Sequence, residues 1–203
     1  MQINRKLNLV VPIDRPDGSR VYLHSTPISF EVFEQFDLVL GRTYAAIYEL
    51  GVGATCGPQM VMGMMKRLAA QLDPAKPAPG ESQWERIQAG LLPEIRRLTM
   101  VIVSGQRPKP YDVAVSRQEL DADDQREAMG AILFFMLVSV MSKRSQVEER
   151  LNAAGRAWGF VTTLQDATAW AASFPTLTQE ESSGETPRGT TKPAELEALS
   201  IPR

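Results

Sequence analysis

A mainly α fold is predicted for this chain: a multi-helix domain with an N-terminal β-hairpin and a disordered C-terminal tail. Three observations carry that prediction. Apolar residues recur every three or four positions through much of 29–175, the period of an amphipathic helix. The first 28 residues instead alternate apolar and polar positions around a turn sequence. The last stretch, 176–203, is rich in Thr, Ser, Glu, Pro and Gly and has no aromatic residue, so it has too little to bury to offset the entropy of ordering. The divisions are therefore 1–28, 29–175 and 176–203.

The hairpin is expected at 5–12 and 20–25. Leu7, Leu9 and Val11 alternate with Lys6, Asn8 and Val10 before Pro12 interrupts, and Val21 to His24 is a second β-prone run. Between them, Pro16-Asp17-Gly18 is a turn: proline sets φ at the first corner and glycine accepts the left-handed position. Two strands alone are marginal in water, so the hairpin must pack on helices or on another subunit.

Ser29 is a candidate N-cap for a helix over 30–50, whose face is Phe33, Phe36, Leu40, Tyr44, Ile47 and Leu50. Gly51-Val52-Gly53 stops it. Gly57-Pro58 restarts a helix with proline in the first turn, where its missing N–H is harmless. Met60, Val61, Met64, Leu68 and Leu72 form the next face. A Pro-rich linker occupies 73–81, extended by its closely spaced prolines. Ser82 and Glu85 fit a capping box for a third helix, which Pro93 kinks or restarts and which continues through Ile95, Leu98 and Ile102. A break follows at 104–110. The most apolar helix is expected at about 122–142, opening on an acidic cluster that suits the positive end of its dipole. Ser145 and Glu148 fit a second capping box for a helix at 146–157, and a last short helix is expected from Thr163 to Ser173.

Composition narrows the function. With 22 basic and 24 acidic residues the net charge is −2, so a strongly basic nucleic-acid binder is excluded. Five glutamates against Arg188, Lys192 and Arg203 place that whole excess in 176–203, leaving the rest neutral. One cysteine excludes an internal disulfide and a cysteine zinc cage, and one histidine removes most metal and His-based catalytic sites. No cofactor is implied. The longest apolar run, Ala128 to Met141, has 14 residues, short of the ~20 needed to span a bilayer, and reads as a helix buried on nearly all sides. With no secretory signal visible, the expected setting is the cytoplasm, where Cys56 stays reduced.

Individual candidates mostly resolve to structure. His24 has no identifiable nucleophile and orienter beside it and reads as a hairpin histidine. Asp121, Asp123 and Asp124 lack the central glycine of a calcium loop, since the sixth position is Arg126, and read as a helix start. Arg96-Arg97 and Lys143-Arg144 are too short for a nucleic-acid patch and read as solvated faces. The nine methionines leave two readings open. Met60, Met62, Met64 and Met65, with Met129, Met136 and Met141, are either core filling or the lining of an adaptable groove.

Several segments carry a resemblance. Leu9-Val10-Val11-Pro12-Ile13, Val21 through Ile28, Phe33 to Phe36, Pro93 to Leu98, the Phe134-Phe135 helix, and Trp158 through Thr176 with the following tail resemble tail assembly chaperones of long-tailed bacteriophages. The likeness covers most of 5–184. It implies a protein that is not an enzyme. Such a chaperone coats the tape measure protein, keeps it soluble and helps recruit tail tube subunits in the host cytoplasm. It is expected to be absent from the mature virion, and self-association is a further possibility. Neither nucleic acid nor membrane is an expected partner. In many phages a longer frameshifted form adds a C-terminal domain. The partner-binding residues expected here are Met60, Met64, Met65, Phe134 and Phe135, facing amphipathic helices, with Leu196 and Leu199 as an anchor on the tail. The alternative is a structural virion component such as a head–tail connector or tail terminator. A small enzyme is a third reading, weakened by the scarcity of His, Cys and motif-placed carboxylates.

Overall fold

The 109-residue separation between Arg15 and Asp124 is closed by a hydrogen bond of 2.9 Å from the guanidinium Nε to the carboxylate. That contact ties the hairpin to the most apolar helix and shows how the molecule is built. The structure, a computed structural model, describes residues 1–4, 6–49, 58–74, 78–103, 106–157 and 162–165. It is mainly helical with a six-stranded mixed sheet. The strands are β1 (Gln2–Asn4), β2 (Leu9–Asp14), β3 (Arg20–Ser25), β4 (Thr99–Val103), β5 (Lys109–Pro110) and β6 (Thr163–Gln165), in the order β5-β4-β3-β2-β1-β6.

The predicted hairpin is therefore the middle of a sheet. Its two strands pair from Leu9↔Ser25 to Asp14↔Arg20, and Gly18 takes the left-handed turn position at φ +81°. Pro12 lies within β2 opposite Tyr22. β1 has already ended beside Val10, so proline sits where β2 has an open side. A third strand, β1, precedes the pair. Its turn was hard to foresee because Leu7, not glycine, holds the left-handed position (φ 61°). The Asn4 side chain makes that turn possible by accepting the Lys6 and Asn8 N–H groups at 2.9 and 3.0 Å.

Two expected helical stretches are strands. The third helix stops at Leu98, and Thr99-Met100-Val101-Ile102-Val103 runs beside β3 as β4. Its β-branched run prefers the pleated surface, and the Thr99 hydroxyl closes the helix by donating to the Ile95 carbonyl at 2.8 Å. Thr163-Leu164-Gln165, expected to begin a helix, is β6 and pairs parallel to β1. Asn152 fixes it there, accepting the Thr162 N–H at 2.6 Å and donating to its carbonyl at 2.8 Å.

The helices follow the sequence more closely. α1 is Phe30–Glu49 and α2 is Met60–Leu72. Ser82 and Glu85 form the predicted capping box at the start of α3 (Gln83–Arg86). Asp73 accepts the Gln83 N–H at 2.6 Å, so the Pro-rich connection is closed at its ends. A π-helical segment, Ile87–Leu91, joins α3 to α4 (Leu92–Arg97). Leu92 donates to the Ile87 carbonyl five residues back, which shifts the ladder just ahead of Pro93, a residue with no N–H to give. α5 (Tyr111–Ser116) lies in a stretch for which no helix was expected. α6 (Ala122–Met141) opens on a complete capping box, Asp121 with Asp124. A 3₁₀ turn, Arg144–Gln146, leads into α7 (Val147–Ala157). There Glu148, predicted as the partner of Ser145, accepts the Leu164 N–H of β6 at 3.1 Å.

One face of the sheet joins the helices in a single core: Leu9, Val11, Ile13, Val21, Leu23 and Val101 pack with the buried sides of the helices. α6 runs through its centre, against β2, α1, α2 and α7. Val10 and Ile102 are buried on the other face of the sheet, beside half-buried Tyr22 and His24. The predicted helix stop at Gly51–Gly53, the helix beyond Gln165, and the tail with Leu196 and Leu199 lie outside the described residues.

Candidate partner-binding cleft

The partner face expected from the sequence is not presented to solvent. Met64, Met65, Phe134 and Phe135 are all buried in the core. The physical reason is the place of α6: with a sheet beneath it and helices around it, Ala131 to Ser139 is buried without interruption, so its phenylalanines have no open side. Met64 and Met65 lie on the side of α2 turned into the same core. Only Met60, 37% exposed, stays at the surface. Of the two readings open for these methionines, core filling applies to Met64 and Met65.

A methionine-lined groove does exist, built from other residues. A cleft of about 210 Å³ opens between α2, α4, α5 and α6, lined by Met62, Leu92, Arg96, Tyr111, Asp112, Val115, Gln125 and Met129. Met62 and Met129 are half-buried, and Leu92 and Tyr111 are almost wholly buried. Thioether side chains are unbranched and polarisable, so this lining adapts to the shape it meets.

Each element has a local reason to be there. α4 carries Arg96 in its last turn, where a cation suits the negative end of the dipole. α5 begins directly after Pro110, with Asp112 in its first turn. The Asp121 cap sets the start of α6, and Gln125 there donates to the Leu120 carbonyl at 3.1 Å.

Arg96, Asp112 and Tyr111 lie near one another in the cleft lining. Arg96 Nη1 and Asp112 Oδ1 are 3.8 Å apart, an ion pair without a hydrogen bond. Burial pushes the Tyr111 phenol up to about 12, partly opposed by the positive charge of Arg96. The hydroxyl is therefore a neutral donor at any ordinary pH. Its hydrogen bonds are not taken up by any of the described residues.

The remaining candidates settle into structure. Asp121 Oδ1 accepts the Asp123 and Asp124 N–H groups, both at 2.8 Å, and Asp124 is the buried partner of Arg15. Among the described residues no group of three or more His, Cys, Asp or Glu side chains could hold a metal ion, and no helix is long and apolar enough to cross a membrane. His24 lies on β3 between Val10 and Met100, and burial lowers its pKa. Arg97 pairs with Glu94 at 2.6 Å, while Lys143 and Arg144 are exposed. Reading the sequence missed Tyr111, Asp112, Val115 and Gln125. The one local signal was Pro110-Tyr111-Asp112, a proline and an acid placed to open a helix.

No protein-family model, curated protein or solved structure matches the chain.

Proposed function

We propose that this chain is a bacteriophage tail assembly chaperone. It binds apolar helical segments of the tape measure protein, keeps that protein soluble before the tube encloses it, and helps bring tail tube subunits to it. The observation that supports this reading is the methionine-lined cleft between four helices, because a surface that must hold many different apolar side chains favours adaptable walls. Its volume suits one large side chain at a time, so affinity comes from repeated weak contacts along a long partner. On this reading the protein works in the host cytoplasm as a binder, not an enzyme, and is left behind when the virion matures.

The test is co-expression with the tape measure protein of its phage. The wild-type chain should raise the soluble fraction of that protein and co-purify with it, and Met62→Glu should abolish both while leaving the far-ultraviolet circular dichroism unchanged. A tape measure protein that stays equally insoluble with the wild-type chain would sink the proposal. Mass spectrometry of purified virions separates the structural alternative: a connector or terminator stays in the particle, and an assembly chaperone does not.

A further inference from the structure

The cleft is lined by two kinds of chemistry. Met62, Leu92, Val115 and Met129 are apolar, while Gln125, Arg96, Asp112 and Tyr111 carry polar groups, the last three near one another. Arg96 and Tyr111 have unused hydrogen-bonding capacity. Arg96 meets Asp112 only at 3.8 Å, and the Asp112 side chain is 69% exposed, so water already competes for it. Tyr111 is 3% exposed and its hydroxyl has no hydrogen-bond partner among the described residues. The hydroxyl oxygen itself is open to the cleft rather than sealed in, so an otherwise buried tyrosine offers its polar tip to what enters there. Both groups donate, so what arrives is an acceptor. The single positive charge of Arg96 is balanced only loosely by Asp112, which favours a monoanion over a dianion.

We propose that the cleft recognises a carboxylate attached to an apolar body. The body seats on Met62, Leu92, Val115 and Met129, and the carboxylate accepts hydrogen bonds from the Tyr111 hydroxyl and the Arg96 guanidinium. This rests on the same cleft as the reading above and specifies its partner: a helix whose large apolar residue stands one turn from a glutamate or aspartate. Asp112 then acts as a placeholder, releasing Arg96 when the incoming carboxylate takes over.

The experiment uses the full chain carrying ¹³C-methyl methionine, with 4-phenylbutyrate and its neutral isostere 4-phenylbutanamide as probes. Both probes should shift the Met62 and Met129 methyl signals. The acid should bind about tenfold more tightly, the worth of one charge-assisted hydrogen bond. Tyr111→Phe should lower the affinity for the acid three- to tenfold with melting unchanged, since no protein hydrogen bond is lost. Arg96→Gln should bring acid and amide to parity while leaving the amide's affinity as it was. Equal binding of acid and amide to the native protein overturns the proposal. So does an acid preference that survives both variants, or shifts that bypass Met62 and Met129. An acid preference in a protein that leaves its co-expressed tape measure protein insoluble removes the chaperone reading and keeps this one. Solubilisation that depends on Met62 without any acid preference does the reverse.

Discussion

α1 and α6 are both 20 residues long, yet they are opposite kinds of helix. α1 turns Phe36, Val39, Leu40, Thr43 and Ile47 inward and leaves Phe30 and Leu38 in solvent. α6 is apolar all round after its first turns and is buried all round. A periodic pattern reports which side of a helix faces a single neighbour. Uniform apolarity reports that there are neighbours on every side, and it does not say which ones. The expectation of a helix buried on nearly all sides over Ala128 to Met141 agrees with this, and a partner face on Phe134 and Phe135 does not.

Paired substitutions test that contrast. The largest effect should come from Phe134→Ala, which empties a fully buried site and should cost about 3–5 kcal/mol in a denaturant titration. Phe30→Ala on α1, at a site 67% exposed, should stay within about 0.5 kcal/mol. Comparable losses at the two sites would break the distinction. Next comes Asp124→Ala, which strands the Arg15 guanidinium at the start of α6 and should cost about 2–4 kcal/mol. Restoring stability by adding Arg15→Leu to that variant would show that the loss was the unpaired charge.

Glycines give a sharper pair. A Cβ on Gly130 would lie 2.8 Å from the Gln59 Cα, a backbone atom that cannot swing away, so Gly130→Ala should cost about 1–3 kcal/mol. On α1 a Cβ on Gly41 would meet only the flexible end of Met141 at 3.8 Å. Gly41→Ala should therefore stabilise by about 0.5–1 kcal/mol through helix propensity. The same substitution should shift the two melting temperatures in opposite directions. The smallest contrast is at the caps. Asp121→Ala removes an acceptor that serves two N–H groups at 2.8 Å and should cost about 1 kcal/mol. Ser29→Ala on α1 loses a 3.4 Å contact to Val32 and an exposed hydrogen bond to the Glu31 carboxylate and should be smaller still.

What the sequence made legible was local. The Gly18 turn, the Ser82 cap, the acidic helix start at Asp121 to Asp124 and the extents of α1 and α6 each rest on residues within one or two turns of one another, and each was found. What it hid depends on distant partners. β6 is a strand because β1 lies beside it and Asn152 grips Thr162, and nothing within Thr163-Leu164-Gln165 says so. β4 carried a β-branched signal that the preceding helical period overrode. The cleft is the extreme case. Its lining runs from Met62 to Met129 across four helices, and only two of its members, Met62 and Met129, belonged to the suspected methionine set. Groove or core is decided by the packing of whole helices, so the methionines were recognisable while their two fates were not.

The pairing of β1 with β6 has a consequence in time. Gln2 lies opposite Thr163, and the Thr163 N–H reaches the Met1 carbonyl. A ribosome adds residues at about 5–20 per second. For the roughly 8–30 seconds needed to make the chain from β1 to Gln165 at that rate, β1 has a neighbour on one side only. β1 is thus completed by a strand made some 160 residues later, and the sheet lacks that strand until then. A nascent copy spends that interval with an open edge, the kind of edge on which chains add to one another.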